Sequence, residues 1–100
     1  MIGITPMAVH DMQRRKEDFV FLDVRSLREC DRVRLPGATF IPLGVLRARL
    51  GELPKDKKVV VFSQISLRAY EAALVLRAAG FKQAWVMDGG VTMWPYEKLE

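Results

Sequence analysis

The chain has 100 residues, half of them hydrophobic, with one cysteine, one histidine and a formal net charge of +4. A chain of this length can bury roughly two-thirds of the surface that its unfolded form exposes, so we expect one domain spanning residues 1–100. No apolar run approaches the roughly 20 residues of a membrane span, and a single cysteine excludes an internal disulfide. These features predict a cytoplasmic protein without a membrane partner.

Two further classes of site are disfavoured by the same composition. One cysteine and one histidine do not supply the usual ligand sets of a structural or catalytic metal, so we expect no metal site, and no cofactor is predicted. The basic clusters at 14–16 and 55–58 are not interleaved with aromatic residues that could stack on bases. We therefore expect no nucleic-acid partner.

A helix is predicted close to the start of the chain. Thr5 can cap it, and Pro6 suits its first position because proline has no N–H to leave unpaired there. It should end within residues 14–17. The candidates for its buried stripe are Met7, Val9 and Met12.

The apolar run over residues 19–24 predicts a short strand buried on both faces, as in a parallel sheet. Asp23 and Arg25 lie where this strand stops. Ligands of open α/β sheets bind outside the carboxyl ends of the strands, so the pair is placed at the functional edge. Two interpretations remain open, a lining of the pocket and a structural ion pair.

Next, Ser26 and Glu29 have the spacing of a capping box, which predicts a helix over residues 27–32. A Leu-Pro-Gly break then precedes a brief strand at 39–41. A further helix follows before the turn at 53–56. Its expected buried stripe is Val45, Leu46, Leu50 and Leu53.

The centre of the chain runs from a buried strand at 59–62 through a loop at 63–68 into a helix at 69–79, with Gly80 as its C-terminal cap. The expected buried residues of this helix are Ala72, Leu76 and Ala79, widened by Leu74 and Val75. N–H groups at a helix N-terminus have no intrahelical acceptors, and the helix dipole is positive there. The loop is therefore predicted to hold an anion, or to lower the pKa of a thiol at its start.

The chain closes with a strand at 84–87, a turn at 88–90 and a short helix at 91–97 interrupted by a proline. Strands and helices thus alternate throughout. This alternation predicts a three-layer α/β domain with a mostly parallel sheet and helices on both faces.

Several short motifs, in this order and spacing, resemble the rhodanese-like or sulfurtransferase domains over nearly the whole chain. They are Leu22-Asp23-Val24-Arg25 with Glu29, Leu35-Pro36-Gly37-Ala38 before Ile41-Pro42-Leu43, the loop at 63–68, Gly80-Phe81, and Asp88-Gly89-Gly90 with Trp94. The resemblance implies about five strands in the sheet. A narrower likeness is to the rhodanese domain at the C-terminus of coenzyme A-disulfide reductases and related pyridine nucleotide-disulfide oxidoreductases. It is based on Leu53-Pro54-Lys55-Asp56 and on the sequence from Phe62 to Tyr70.

In that family the loop begins with a cysteine that carries sulfane sulfur as a persulfide. The resemblance implies a small sulfur-containing substrate or thiol acceptor, and a flavoprotein disulfide reductase as a fused or separate partner. Here Ser63 occupies the cysteine position, and a hydroxyl is not a usable carrier of sulfane sulfur. The remaining anion-binding residues implied for the loop are Gln64, Ile65, Ser66, Leu67 and Arg68, with Asp23 and Arg25 in support.

Either natural loss or an engineered replacement explains Ser63. Two other departures favour natural loss: Ser66 stands where the family commonly has glycine, and Val33-Arg34 replaces a common Gly-His pair. Ser66 would be strained if its position required a positive φ. As the chain stands, Ser63 is expected to act as a helix cap rather than in catalysis.

Two functions follow as hypotheses, a sulfurtransferase-type domain without its nucleophile and a module that binds an anion or a protein without chemistry. Arg68 is expected either to bind the anion or to pair with a carboxylate of a neighbouring helix. A phosphatase of related fold would need five residues between nucleophile and arginine, and four separate Ser63 from Arg68. Phosphatase activity is therefore not expected.

Overall fold

The computed structural model describes residues 2–100, and it contains one five-stranded sheet flanked by helices. The strands are β1 (Gly3–Ile4), β2 (Phe19–Asp23), β3 (Ala38–Phe40), β4 (Lys58–Phe62) and β5 (Ala84–Met87). The α-helices are α1 (Pro6–Arg14), α2 (Leu27–Arg32), α3 (Leu43–Leu46) and α4 (Leu67–Ala78), and 3₁₀ segments cover Arg47–Glu52 and Gly90–Met93. The strand order is β1-β5-β4-β2-β3, and every pairing is parallel. The predicted α/β architecture is confirmed.

Strand β4 is buried on both faces because it lies in the middle of the sheet. Its residues alternate between two apolar cores: Val59 and Val61 pack with α3 and α4, whereas Val60 and Phe62 pack with α1 and the C-terminal segment. This alternation is the pattern expected where helices cover both faces of a parallel sheet. The three layers predicted from the sequence are thus present.

Several local signals act as predicted. Thr5 accepts the N–H of Ala8 at the start of α1, and Ser26 and Glu29 form the full capping box of α2. At the end of α4, Gly80 has a φ of +100°, and the N–H groups of Gly80 and Phe81 donate to the carbonyls of Arg77 and Leu76. This pair of bonds is a Schellman motif, for which glycine is the favoured residue.

Other details differ from the predictions. Helix α4 begins at Leu67 rather than at residue 69, and the terminal helix is only a 3₁₀ turn over Gly90–Met93. Three predicted core residues, Met7, Val45 and Leu74, are exposed. Strand β1 was not predicted, since two residues cannot display an alternating pattern. Among residues 2–100, no helix combines the length and hydropathy needed to cross a membrane.

Candidate functional site

The parallel sheet brings the ends of β2 and β4 together at one edge. Asp23 pairs with Phe62 in the sheet register, so Ser63 follows directly beside the end of β2. The loop from residue 63 to residue 66 lies at this edge and leads into α4. The predicted candidate residues of the two strand ends are therefore neighbours, although their part in binding stays a prediction.

The segment that follows β5 makes hydrogen bonds to the loop. The N–H groups of Val91 and Thr92 donate to the carbonyls of Ser63 and Gln64 at 3.0 and 3.1 Å, and the Thr92 hydroxyl donates to the same Gln64 carbonyl at 3.0 Å. The N–H of Gly89 donates to Ser66 Oγ at 2.8 Å. These bonds occupy two carbonyl groups and one hydroxyl group of the loop, and none of them uses an N–H group of the loop.

The hydroxyl groups of Ser63 and Ser66 both fix the loop, each through a different hydrogen bond. Ser66 stands at the N-cap of α4, but its hydroxyl accepts from Gly89 instead of from its own helix. The capping bond is made by Ser63, whose Oγ accepts the N–H of Ala69 at 3.2 Å, three positions into α4. Ser66 has a φ of −126°, so its side chain causes no backbone strain. Ser63 is buried and hydrogen-bonded as a cap.

Five consecutive N–H groups, those of residues 64–68, donate to no atom of residues 2–100. They cover the loop and the first two positions of α4, where helical N–H groups have no partner within the helix. The partial positive charge of the helix N-terminus adds to them. A row of free donors at this point can hydrogen-bond an anion.

The side chain of Arg68 is already paired. Its Nη1 and Nη2 donate to Oε1 and Oε2 of Glu29 at 2.7 and 2.8 Å, which joins α4 to α2 in a bidentate ion pair. Of the two outcomes expected for Arg68, the structure contains the pairing with a neighbouring helix. The Arg68 bond, opposed by burial and assisted by bonds from Ser26, lowers the pKa of Glu29 from its usual 4.5 to about 2.

Because of this ion pair, we expect the folded state to lose stability in acid. Because the pKa of Glu29 is lowered in the folded state, the pair stabilises the fold above pH 4.5, and this contribution is lost as the pH falls through about 2. We expect a loss of about 1–2 kcal/mol, since partial exposure screens the pair. Urea unfolding of the wild type and of Glu29→Gln should differ near neutral pH and converge in acid. A difference that does not depend on pH would contradict this.

Asp23 and Arg25 form a buried ion pair behind the loop. Arg25 Nε and Nη2 donate to the two carboxylate oxygens at 3.0 and 2.9 Å, and Nη2 also donates to the carbonyl of Val33 at 2.7 Å. Arg25 Nη1 donates to Gln64 Oε1 at 3.2 Å. The structure therefore contains the ion pair, which also supports the loop through Gln64, and a part of the pair in lining a pocket stays a prediction.

Cys30 lies in α2 and is 4% exposed. Burial, with the negative charge of Asp23, raises the pKa of its thiol above the usual value. A buried, protonated thiol is a poor nucleophile. Cys30 is therefore suited to filling space in the core rather than to acting as a nucleophile.

The contacts of two residues with the loop were not predicted from the sequence. Gly90, with a φ of +59°, lies against the carbonyls of the loop, and Glu29 holds Arg68. The Gly-Gly pair after β5 was a signal for a close approach of backbones. The second role of Glu29 carried no local signal because its partner lies 39 residues away.

Comparison with known proteins shows which family and fold the chain shares. The family model of the rhodanese-like domain matches residues 5–96. A sulfurtransferase of Allochromatium vinosum is 30% identical over 78 residues, which are 78% of this chain and 73% of that protein. The structure of a rhodanese-like domain protein from Staphylococcus aureus superposes with a TM-score of 0.90 at 23% identity, covering 97% of this chain and 94% of that one, which shows the shared fold.

A larger protein also contains this fold. The crystal structure of reduced CoADR-RHD from Bacillus anthracis superposes with a TM-score of 0.85 at 28% identity and covers 94% of this chain. The matched region is only 16% of that longer chain. The likeness therefore concerns this one region of CoADR-RHD. With the match of the family model over most of its length, the chain belongs to the rhodanese-like domain family.

Proposed function

We propose that this rhodanese-like domain binds a small oxyanion in the loop at 63–68 and does not transfer sulfur. The observation that carries the proposal is the contrast within the loop. Five N–H groups are free to bind an anion, whereas the oxygen at position 63 is buried and occupied by the N–H of Ala69. The donors of a sulfurtransferase loop are thus present without its nucleophile.

The sulfur-transfer reaction that Ser63 cannot begin has two steps. In a sulfurtransferase of this type, a cysteine thiolate attacks the outer sulfur of thiosulfate, the S–S bond breaks, and sulfite leaves with the electron pair. The resulting persulfide passes its terminal sulfur to cyanide, which gives thiocyanate and restores the thiolate. Ser63 cannot begin this cycle because its hydroxyl stays protonated at neutral pH without a general base.

Anion binding is tested by NMR titration of the ¹⁵N-labelled wild type with sodium thiosulfate and sodium sulfate. We expect saturable shifts concentrated at the amides of residues 64–68, because these N–H groups donate to no atom within residues 2–100. Shifts spread evenly over the surface, or none at the loop, would contradict the proposal.

Sulfur transfer is tested by Ser63→Cys in an assay that follows thiocyanate from thiosulfate and cyanide. We expect no turnover from the wild type, and turnover from the variant, because the free N–H groups and the helix N-terminus lower the pKa of a thiol placed there. Thr39→Cys is the matched control: Thr39 is an exposed residue of β3, so the variant adds a thiol outside the loop and should stay silent. Turnover by the wild type would overturn the proposal. Silence of Ser63→Cys would instead favour a binding module whose loop does not accommodate the reaction.

We also propose a partner protein and a cellular compartment for the domain. Similarity to CoADR-RHD, of which this chain matches a small part, favours a flavoprotein disulfide reductase as fused or separate partner. A thiol acceptor would then be relevant only to forms that carry cysteine at position 63. One buried, free cysteine is compatible with a reducing cytoplasm.

A further inference from the structure

Glu29 pairs with Arg68, the cationic residue at the end of the loop at 63–68. Arg68 contributes its own N–H to the five free donors, so its side chain begins at the loop. Both of its terminal nitrogens nevertheless donate to Glu29, at 2.7 and 2.8 Å. While this pair persists, the positive charge of Arg68 is balanced by a carboxylate and its best donors are occupied.

Glu29 is itself held firmly in place. Its Oε1 accepts from the N–H and the hydroxyl of Ser26, both at 3.0 Å, as part of the capping box that begins α2. The same oxygen accepts from Arg68. The position of the carboxylate is therefore set by α2, and the pair does not depend on a freely rotating surface side chain.

We propose that Glu29 sets the affinity of the loop for its anion by withholding the guanidinium of Arg68. The proposal rests on the anion-binding function proposed above and adds how the anion is recognised. In the wild type, backbone N–H groups alone bind the anion, and no side-chain charge pairs with it. The loop then selects a small oxyanion through hydrogen bonding, with weak affinity and a weak dependence on salt.

Glu29→Gln tests this because glutamine keeps the capping box but loses the charge. Released from the carboxylate, Arg68 can donate to an anion at its own N-terminal turn. A charge-assisted bond that is partly exposed should raise the affinity for sulfate and thiosulfate about tenfold. The affinity of the variant should also fall more steeply with ionic strength.

The chain offers a matched control in Glu52→Gln. Glu52 forms a similar bidentate pair with Arg49, at 2.7 and 2.8 Å, in the 3₁₀ segment Arg47–Glu52. This variant changes the net charge equally, and among residues 2–100 Glu52 makes no hydrogen bond to the loop. We expect no gain in affinity from it. In the double variant Glu29→Gln, Arg68→Gln, the gain should disappear.

A second measurement needs no variant. In the wild type, thiosulfate should shift the amides of residues 64–68 and leave the guanidinium resonances of Arg68 in place. A direct shift of those resonances, an unchanged affinity in folded Glu29→Gln, or an equal gain in Glu52→Gln would each overturn the role of Glu29 while leaving anion binding intact. Absence of binding to every variant would overturn the proposed function as well.

Discussion

Replacing Arg25 by methionine should lower the free energy of unfolding by about 3–5 kcal/mol, since it leaves a buried carboxylate without its partner. The Arg25 side chain is fully buried, and Asp23 beside it is 1% exposed. Methionine fills much of the same volume, so the effect should come chiefly from the uncompensated charge. In a chain of this size that is a large part of the total stability.

The neighbours of Arg25 increase this cost. The guanidinium also donates to the carbonyl of Val33 and to the side chain of Gln64, and its Cζ lies 5.8 Å from the centre of the Phe62 ring. Methionine satisfies none of these acceptors. The link between the buried pair and the loop is lost at Gln64, so the loop should become less ordered as well.

Urea unfolding of a short series of variants checks this prediction. Arg25→Lys keeps the charge without the forked geometry and should lie between the wild type and Arg25→Met. The double variant Asp23→Asn, Arg25→Met removes the unpaired charge and should be more stable than Arg25→Met alone. If Arg25→Met stays within about 1 kcal/mol of the wild type, the pair does not have this role.

Gly90→Ala should be the second strongly destabilising change, at about 2–6 kcal/mol. A positive φ and forced packing contacts each cost about 1–3 kcal/mol for a residue with a β-carbon. The new β-carbon would lie 2.8 Å from the carbonyl oxygen of Gln64 and closer still to those of Ser63 and Ile65. These are backbone atoms that cannot turn aside, so the loop itself must move.

Gly44→Ala is the matched control for this prediction. A β-carbon there meets nothing within 4 Å, and the residue lies in α3, where alanine is favoured over glycine. We expect Gly44→Ala to be neutral or slightly stabilising in urea unfolding. In Gly90→Ala, the amide resonances of residues 64–68 should shift even without an anion. Equal stability of the two variants would contradict the close approach at Gly90.

Local signals accounted for most of the fold. The capping box of α2, the proline start of α1 and the glycine end of α4 each depend on residues within a few positions, so they are readable along the chain. The apolar run of β4 likewise predicted burial on both faces. Periodicity was less reliable for the width of buried stripes. Leu74 was added to the stripe of Ala72 and Leu76 as a widening, yet it is exposed because it lies on nearly the opposite side of α4 from them.

In the loop, some features depend on adjacent residues of the chain, and others depend on residues that are distant in sequence. Its place between β4 and α4 follows from the residues on either side, and so do its free N–H groups, since every helix start has them. Its side-chain partners lie far along the chain: Ser66 meets Gly89 at a separation of 23 residues, and Gln64 meets Arg25 at 39. Several polar residues could have served as partners, and only packing selects among them.

By itself, the sequence determined the family and the absence of sulfur at position 63, because both depend on which residues occur and in what order. The tertiary structure alone decided that the Ser66 hydroxyl accepts from Gly89 and that Arg68 is held by Glu29. The physical reason is that a hydrogen bond requires donor and acceptor within about 3 Å, a distance that the crossing of α2 and α4 sets rather than any spacing along the chain.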